Sequence, residues 1–420
     1  MSRRLEILLY GVPVGEISET GDGRTEFRFL DEYFDLVPRP VLGQKFEDDL
    51  RRVHRSRLRE RLPDFFANLV PEGRLRELIE QTTGVEEGDD LALLAYVGGD
   101  LPGAVTARPF EGEELVSSPP AEVAATELPD EAPDEDVGEG LRFSLAGVQL
   151  KLSMLREGER LTLPVHDRSG DWIVKFDSPS FPHLPENEYS MLEWARAAEF
   201  DVPECHLHGL DDLDEEAAFL RMVRQLVEPG TRILAIRRYD RTPDGPIHQE
   251  DFAQATGLPP AKKYEQIRHE VMAVLVRQFI GEEGTEEYVR RLVLTVAQDN
   301  GDAHLKNWSL VYPDRVSAAW SPLYDQVSTV AWHAPRRQLA LKLAGVKDFG
   351  RIDRELFVRL ADHAGLRKEK VNALMEETLA RLRDAWGAIG PDLPLAPAHR
   401  RAVEDHWARV PLLRSAGGLR

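Results

Sequence analysis

Residues 299–310 read Asp299-Asn300-Gly301-Asp302-Ala303-His304-Leu305-Lys306-Asn307-Trp308-Ser309-Leu310. An apolar-periodic stretch, Tyr288–Ala297, precedes them and an alternating stretch, Trp308–Tyr312, follows, so the segment reads as a loop between a helix and a strand. Asn-Gly-Asp is by itself an ordinary turn signal. Five residues apart on one loop, however, Asp302 and Asn307 carry complementary chemistry. The carboxylate can accept a proton from a hydroxyl, and the amide oxygen can meet a hard cation one loop-length later. A second acid on that cation is expected from a neighbouring strand end. Asp325 stands there, closing the stretch Ala318–Tyr324 eighteen residues past Asn307.

An Asp and an Asn at this separation form the catalytic loop of the phosphoryl-transfer template found in protein kinases. That template also needs a lysine on a strand to hold nucleotide phosphates. In Trp172-Ile173-Val174-Lys175-Phe176 a lysine ends an apolar strand, although a surface lysine at a strand edge has the same look. The helix that follows should orient it with a carboxylate, for which Glu188 is the first choice and Glu193 the alternative. Upstream, Ser144-Leu145-Ala146-Gly147-Val148-Gln149-Leu150-Lys151 precedes Lys175 by about one hairpin, where a phosphate-covering loop would lie. Backbone N–H groups of such a turn can cradle phosphate. With one glycine it departs from both G-x-G-x-x-G and the Walker pattern, and a plain hairpin is the simpler reading. Arg237 and Arg238, with Arg241 nearby, fall at the end of Ile233–Tyr239, either at an inter-lobe hinge or at a solvated strand end.

Composition narrows the alternatives. The 420 residues suit two or three domains, and with 42% hydrophobic residues collagen-like or wholly disordered chains are excluded. Lys and Arg number 53 against 74 Asp and Glu, a net charge of −21. Such acidity argues against tight direct binding to nucleic acid, which depends on neutralising phosphates. Eleven acids crowd residues 111–140, with four prolines and no aromatic residue, and no Lys or Arg lies between Arg108 and Arg142. That composition reads as a mobile spacer. The one cysteine, Cys205, forms no internal disulfide and no thiol metal cluster. The twelve histidines include no H-E-x-x-H, and G-x-S-x-G is absent. The opening MSRRLEILLYGVPVGE contains Gly11 and Pro13 and meets Glu16 at once, so it reads as a strand and not as a signal peptide. No apolar run approaches the ~20 residues of a membrane helix. A cytoplasmic protein without membrane contact is expected.

The order of elements divides the chain into a small α+β unit (1–108), the acidic linker (109–141), a strand-rich lobe (142–240) and a helix-rich lobe (241–420). In the first unit, Leu5–Tyr10 and Thr25–Phe29 predict an antiparallel sheet around the Gly21–Gly23 turn, and Arg57–Leu69 and Gly73–Gln81 predict helices. Alternation predicts strands over Arg142–Met154, Arg160–Pro164, Trp172–Phe176, Glu204–Leu210, Ala218–Val227 and Ile233–Tyr239. Helices are expected over Pro185–Glu199, Gln266–Ile280, Tyr288–Ala297, Asp353–His363 and Lys368–Ile389. Two lobes with a cleft between them are a natural place for a nucleotide.

Taken in order, SLAGVQLK (Ser144–Lys151), WIVKF around Lys175, ENEY (Glu186–Tyr189), RYDR (Arg238–Arg241), HQEDF (His248–Phe252), KKYE (Lys262–Glu265), NGDAHLKNWS (Asn300–Ser309) and Tyr324-Asp325 resemble the HipA family of toxin–antitoxin serine/threonine kinases. The resemblance continues into the first unit through FFANLVPEG (Phe65–Gly73) and GGDLPGAV (Gly98–Val105). It implies an α+β, two-lobed protein-kinase-like fold with a small N-terminal α+β domain, using ATP and Mg2+. Asp302 would be the catalytic base, and Asn307 and Asp325 would hold magnesium. Lys175 would bind the ATP phosphates under a cover formed by Ala146, Gly147, Val148, Gln149, Leu150 and Lys151. Arg237, Arg238 and Tyr239 would meet adenine through the backbone, while His304, Leu305, Lys306, Asn307, Tyr324 and Asp325 would line the site. Ser144 matches the serine that is autophosphorylated in this loop. There a phosphate adds about −1.5 to −2 charges, which should eject the loop and silence the enzyme. The implied partners are a HipB-type helix-turn-helix antitoxin, operator DNA mainly through that antitoxin, and an aminoacyl-tRNA synthetase as substrate. The acidic 111–140 segment has no place in this pattern. Two other readings fit the same residues: a small-molecule phosphotransferase of the aminoglycoside-kinase kind, and a catalytically silent corepressor bound to an antitoxin.

Overall fold

A computed structural model describes residues 3–57, 61–110, 115, 149–157, 160–162, 169–213, 227–228, 230–332 and 337–419. The acidic segment apart from Leu115, the loop residues Ser144 and Ala146–Val148, and nearly all of the stretch expected as a strand over 218–227 lie outside the described residues.

The N-terminal sheet grows from alternation in β1 (Arg4–Leu9), whose Leu5, Ile7 and Leu9 are fully buried. β1 turns through Tyr10-Gly11, both at positive φ, into β2 (Val12–Glu19), then β3 (Thr25–Phe29), the two-residue β4 (His54–Arg55) and finally β5 (Val105–Pro109). The order is β4-β3-β2-β1-β5, antiparallel at every pairing. β2 contains Pro13 and Gly15, which break its strand signature. Gly15 is required there, because a Cβ at that position would fall 2.3 Å from the Phe27 ring. Phe27, Phe46, Phe65 and Phe66 pack together beneath the sheet. The helix expected over Arg57–Leu69 is reduced, among the described residues, to Asp64–Ala67. Pro63 stands directly before it; proline lacks an N–H and disfavours helical geometry in the residue preceding it. Helices Gly73–Thr83 and Asp90–Val97 follow.

The second sheet contains β6 (Lys151–Glu157), β7 (Arg160–Thr162), β8 (Trp172–Lys175), β9 (Cys205–Gly209) and β10 (Arg232–Arg237), in the order β7-β6-β8-β10-β9. Met154, Leu161, Trp172, Val174, Ile233 and Ala235 form its core, joined by Leu78 from the N-terminal unit. The helix Leu184–Ala197 lies between this sheet and the helical lobe, packing against both β10 and the long helix Lys368–Ile389.

The helical lobe contains the helices His269–Phe279, Glu282–Ala297, Arg354–Ala364, Lys368–Ile389 and Pro397–Arg409 and a small antiparallel sheet of His248–Asp251, Ser309–Tyr312 and Ala319–Trp320. Trp194, Trp386 and Trp407 meet at its centre. Each large apolar side chain buried here contributes about 1.5–3 kcal/mol. The helix Pro397–Arg409 also anchors the base of the 299–310 loop. Trp407 Nε1 donates to the Ala297 carbonyl at 3.0 Å, and His406 Nε2 hydrogen-bonds the Val296 carbonyl at 2.7 Å. Among the described residues, no helix is long and apolar enough to cross a membrane.

The N-terminal unit is joined to the rest by buried polar contacts. The Arg238 side chain is 5% exposed, donates to Asp100 at 2.6 Å and pairs with Asp240 at 2.9 Å, and Arg241 bridges the same two acids. Asp240 in turn accepts from the Gly103 N–H at 2.7 Å. Removing one partner of such a network leaves buried charge uncompensated. Arg238→Ala is expected to destabilise the protein by about 3 kcal/mol or more, read as a shift in the urea midpoint. A midpoint unchanged within error would show that this cluster does not hold the units together.

Candidate active site

Strand β8 ends by carrying the Lys175 ammonium into the space between the lobes. It lies 2.5 Å from Glu188 Oε1 and also contacts Asp325 Oδ1. Glu188 is fully buried on the inner face of the helix Leu184–Ala197, while Glu193 turns away to pair with Arg196 at 3.0 Å. Burial alone would lower the proton affinity of Lys175, but Asp325 and then Glu188 outweigh it and hold the ammonium charged. Burial also pushes the Glu188 carboxyl up, against the pull of Lys175. For Asp325 burial acts in the same direction but loses to Lys175 and then Lys151, and the carboxylate is held well below its usual range.

Asp325 has a left-handed backbone, φ 50°, after the strand Ala319–Trp320, which is shorter than the 318–324 stretch expected. Two amides hold that turn. Asn300 Nδ2 donates to the Asp325 carbonyl at 3.1 Å while its Oδ1 accepts from the Asp302 N–H at 3.1 Å. Asn187, next to Glu188, accepts from the Ser328 N–H at 2.8 Å and donates to the Ser328 carbonyl at 3.2 Å. The lysine, its carboxylate and the loop are therefore fixed to one another through side chains on three elements.

Within the loop, Asp302 is buried, and Asn307 Nδ2 donates to its carbonyl at 2.9 Å. Tyr264 donates its hydroxyl to Asp302 Oδ1. Residues Leu305–Asn307 form one 3-10 turn, with the Leu305 side chain in the core. The ring of His304 is buried, meets Tyr264 edge-on at 4.9 Å and, among the described residues, has no hydrogen-bond partner at either nitrogen. Burial, reinforced by Lys263 and Lys306, holds that imidazole neutral, down at about 3. Lys306 contacts Glu72 of the N-terminal unit, and Tyr324 donates to the Lys306 carbonyl at 2.8 Å.

The remaining expected residues surround this centre. Lys151 stands directly opposite Lys175 across the β6–β8 pairing. Gln149 donates to the Phe176 carbonyl at 3.1 Å, and Leu150 belongs to the sheet core. Ala146, Gly147, Val148 and Ser144 lie outside the described residues. At the end of β10 the N–H groups of Arg237 and Arg238 are taken by the carbonyls of Glu204 and Asp171, both at 2.8 Å. Arg237 is exposed, the Arg238 side chain is part of the ion network described above, and the Tyr239 hydroxyl donates to Gln249. Four residues at the centre carried no assignment from sequence: Asn187, Asn300, Tyr264 and Glu72. Each lies in a motif quoted above, but what it touches depends on contacts that spacing does not reveal.

Among the described residues no three His, Cys, Asp or Glu side chains form a metal cage. An amide and a carboxylate, Asn307 and Asp325, nevertheless suit a hard cation such as magnesium, which takes one or two carboxylates and completes its shell with water and phosphate oxygens. The ammonium groups of Lys175 and Lys306, both near enough to act on Lys151, suit a polyanionic substrate.

The chain matches the family model for the HipA-like C-terminal domain over residues 143–386 and that for the HipA N-terminal domain over residues 5–108. It is 36% identical over 416 residues to Y4dM of Sinorhizobium fredii, covering 98% of each chain. To the serine/threonine-protein kinase toxin HipA of Shewanella oneidensis it is 25% identical over 383 residues, covering 83% of this chain and 82% of that one. A chain in the solved complex of Shewanella oneidensis HipA, HipB and operator DNA superposes with a TM-score of 0.74 at 20% identity, covering 98% of this chain and 96% of that one. The architecture is thus the two-lobed, kinase-like α+β fold preceded by a small α+β domain. With both domain models matched in order along one chain, the protein belongs to the HipA family of toxin kinases.

Proposed function

We propose that the protein is a magnesium- and ATP-dependent serine/threonine-protein kinase acting as the toxin of a toxin–antitoxin module. The observation that carries this reading is the Lys175 ammonium held between Glu188 and Asp325, with Asn300 tying the Asp325 turn to the loop that bears Asp302. Phosphoryl transfer passes through a loose, highly charged transition state, so catalysis rests on positioning and charge. Asp302 accepts the proton of the attacking hydroxyl. The new P–O bond forms to that oxygen as the bond to the leaving ADP breaks, and Lys175 offsets charge on the phosphates. Asn307 and Asp325 would hold magnesium, which would offset negative charge on the phosphates. Ala146–Lys151 cover the phosphates, adenine lies against Arg237–Tyr239, and His304–Asn307 with Tyr324 line the pocket.

Ser144, in the covering loop, is the proposed site of self-modification, and a phosphate there would oppose nucleotide binding. A HipB-type helix-turn-helix antitoxin is the proposed partner and brings operator DNA with it; the fold shared with a chain of the HipA–HipB–DNA complex supports this. The proposed substrate is an aminoacyl-tRNA synthetase, whose modification would arrest translation and growth.

Incubation with magnesium and ATP should add one phosphate to the intact mass of the parent protein and none to Asp302→Asn or Ser144→Ala. Failure of the parent to bind ATP at all would overturn the kinase reading. Lys175→Met should abolish transfer and also leave Glu188 and Asp325 without their cation, destabilising the fold by about 3–5 kcal/mol at pH 7.5. Glu188 then has a folded-state pKa raised further above its unfolded value of about 4.3. The unfolded chain releases that proton first as pH rises, so the loss of stability deepens above about pH 4.3 and eases as pH falls. Denaturant midpoints of Lys175→Met and parent at pH 5 and 7.5 test this, and a pH-independent difference would contradict it.

A further inference from the structure

Glu72 belongs to the N-terminal domain, within Asn68-Leu69-Val70-Pro71-Glu72-Gly73. It is the residue before the helix Gly73–Thr83, with extended backbone, yet its carboxylate makes no capping bond to that helix. Gly73 follows at φ 55°, a left-handed conformation that glycine adopts without strain. The turn so formed directs the Glu72 side chain out of its own domain. One oxygen, Oε1, accepts from Lys306, and the other, Oε2, accepts from Lys263 at 2.7 Å. Lys306 Nζ also donates to the Asn68 carbonyl at 3.3 Å.

The two lysines flank the reacting centre. Lys306 immediately precedes Asn307 and follows Asp302 by four residues. Lys263 immediately precedes Tyr264, whose hydroxyl donates to Asp302, and the Lys263 carbonyl accepts from the Leu305 N–H at 3.2 Å. A single carboxylate from another domain therefore clamps both segments that hold the catalytic aspartate. Burial alone would raise its pKa, but Lys306 and then Lys263 outweigh burial and keep Glu72 ionised. Without that anion two ammonium groups would repel each other beside the loop.

We propose that Glu72 is a positioning residue for phosphoryl transfer, supplied by the N-terminal domain, which fixes Lys263 and Lys306 and through them the Tyr264–Asp302 pair and Asn307. The inference rests on the kinase reading. It makes the N-terminal domain a component of the reaction centre in addition to any part it takes in assembly.

A residue that merely fastens two domains and one that sets a reacting geometry respond differently to loss of charge. Glu72→Gln keeps the shape and removes one negative charge close to where ATP would bind. Displacing a reacting group by about 1 Å costs up to ~100-fold in rate, so kcat should fall between about ten- and a hundredfold. The KM for ATP should stay the same or decrease, because a cation-rich cleft attracts the nucleotide more strongly. The experiment follows transfer of phosphate from ATP to Ser144 in the full chain by intact mass, with magnesium and well below the melting temperature of each variant, so that kcat is the limiting rate of self-modification and KM the ATP concentration at half that rate. Glu72→Asp, which keeps the charge on a shorter arm, serves as the second variant should Glu72→Gln not fold, and its kcat should also drop. A fall in kcat without a rise in KM supports the proposal. Unchanged kcat in a folded variant, with or without lower thermal stability, overturns it and leaves the kinase reading intact. No ATP turnover in the parent overturns both.

Discussion

The buried contact between Lys175, Glu188 and Asp325 is the constraint on which the remainder of the site depends. A strand end, a helix and a turn from the opposite lobe all deliver charge to one point, and neither carboxylate is comfortable there without the ammonium. Burying an ion pair is no route to great stability, because the desolvation cost rivals the Coulombic gain. Its value here is registration. With Lys175 in place, β8 and the helix Leu184–Ala197 are set against the 299–310 loop, and the Asn187 and Asn300 amides extend that registration to Ser328 and Asp302.

A second theme is the division of labour between apolar and polar contacts. The N-terminal domain has its own aromatic core, and the helical lobe is built around Trp194, Trp386 and Trp407. Between the domain and the lobes, contact is made in large part by charged and hydrogen-bonding groups: Asp100 with Arg238 and Arg241, Glu250 with the Gln44 N–H at 2.8 Å, and Glu72 with two lysines. Burial pushes the Glu250 carboxyl up to about 8, whereas the arginines beside Asp100 and the lysines beside Glu72 pull those two carboxyls down. Polar joints of this kind need precise partners, and they fix one docking geometry where an apolar face would tolerate several.

Local chemistry was the legible part of the sequence. The turn at Asn300-Gly301-Asp302, the strand ending at Lys175 and the long amphipathic helices each announce themselves within a dozen residues. β2 was hidden by Pro13 and Gly15, and the helix Asp90–Val97 by its unbroken apolar run, since Leu91 through Leu94 are contiguous and all buried and leave no 3.6-residue stripe to read. The helix expected over Arg57–Leu69 had a plausible period but ran through Pro63. The contacts of Glu72 and Tyr264 were not legible because they join residues 191, 234 and 38 positions apart. A motif reveals that such residues stand together along the chain, and only the fold shows what they touch.

The central claim is that Lys175, Asp325 and the Asp302 loop form a nucleotide site whose parts are already in register before nucleotide arrives. A crystal structure with magnesium and a non-hydrolysable ATP analogue tests it most directly. The account predicts the metal between Asn307 and Asp325, the phosphates on Lys175, and Lys175 still paired with the buried Glu188. Nucleotide bound elsewhere, or Glu188 withdrawn from Lys175 in the complex, would contradict it.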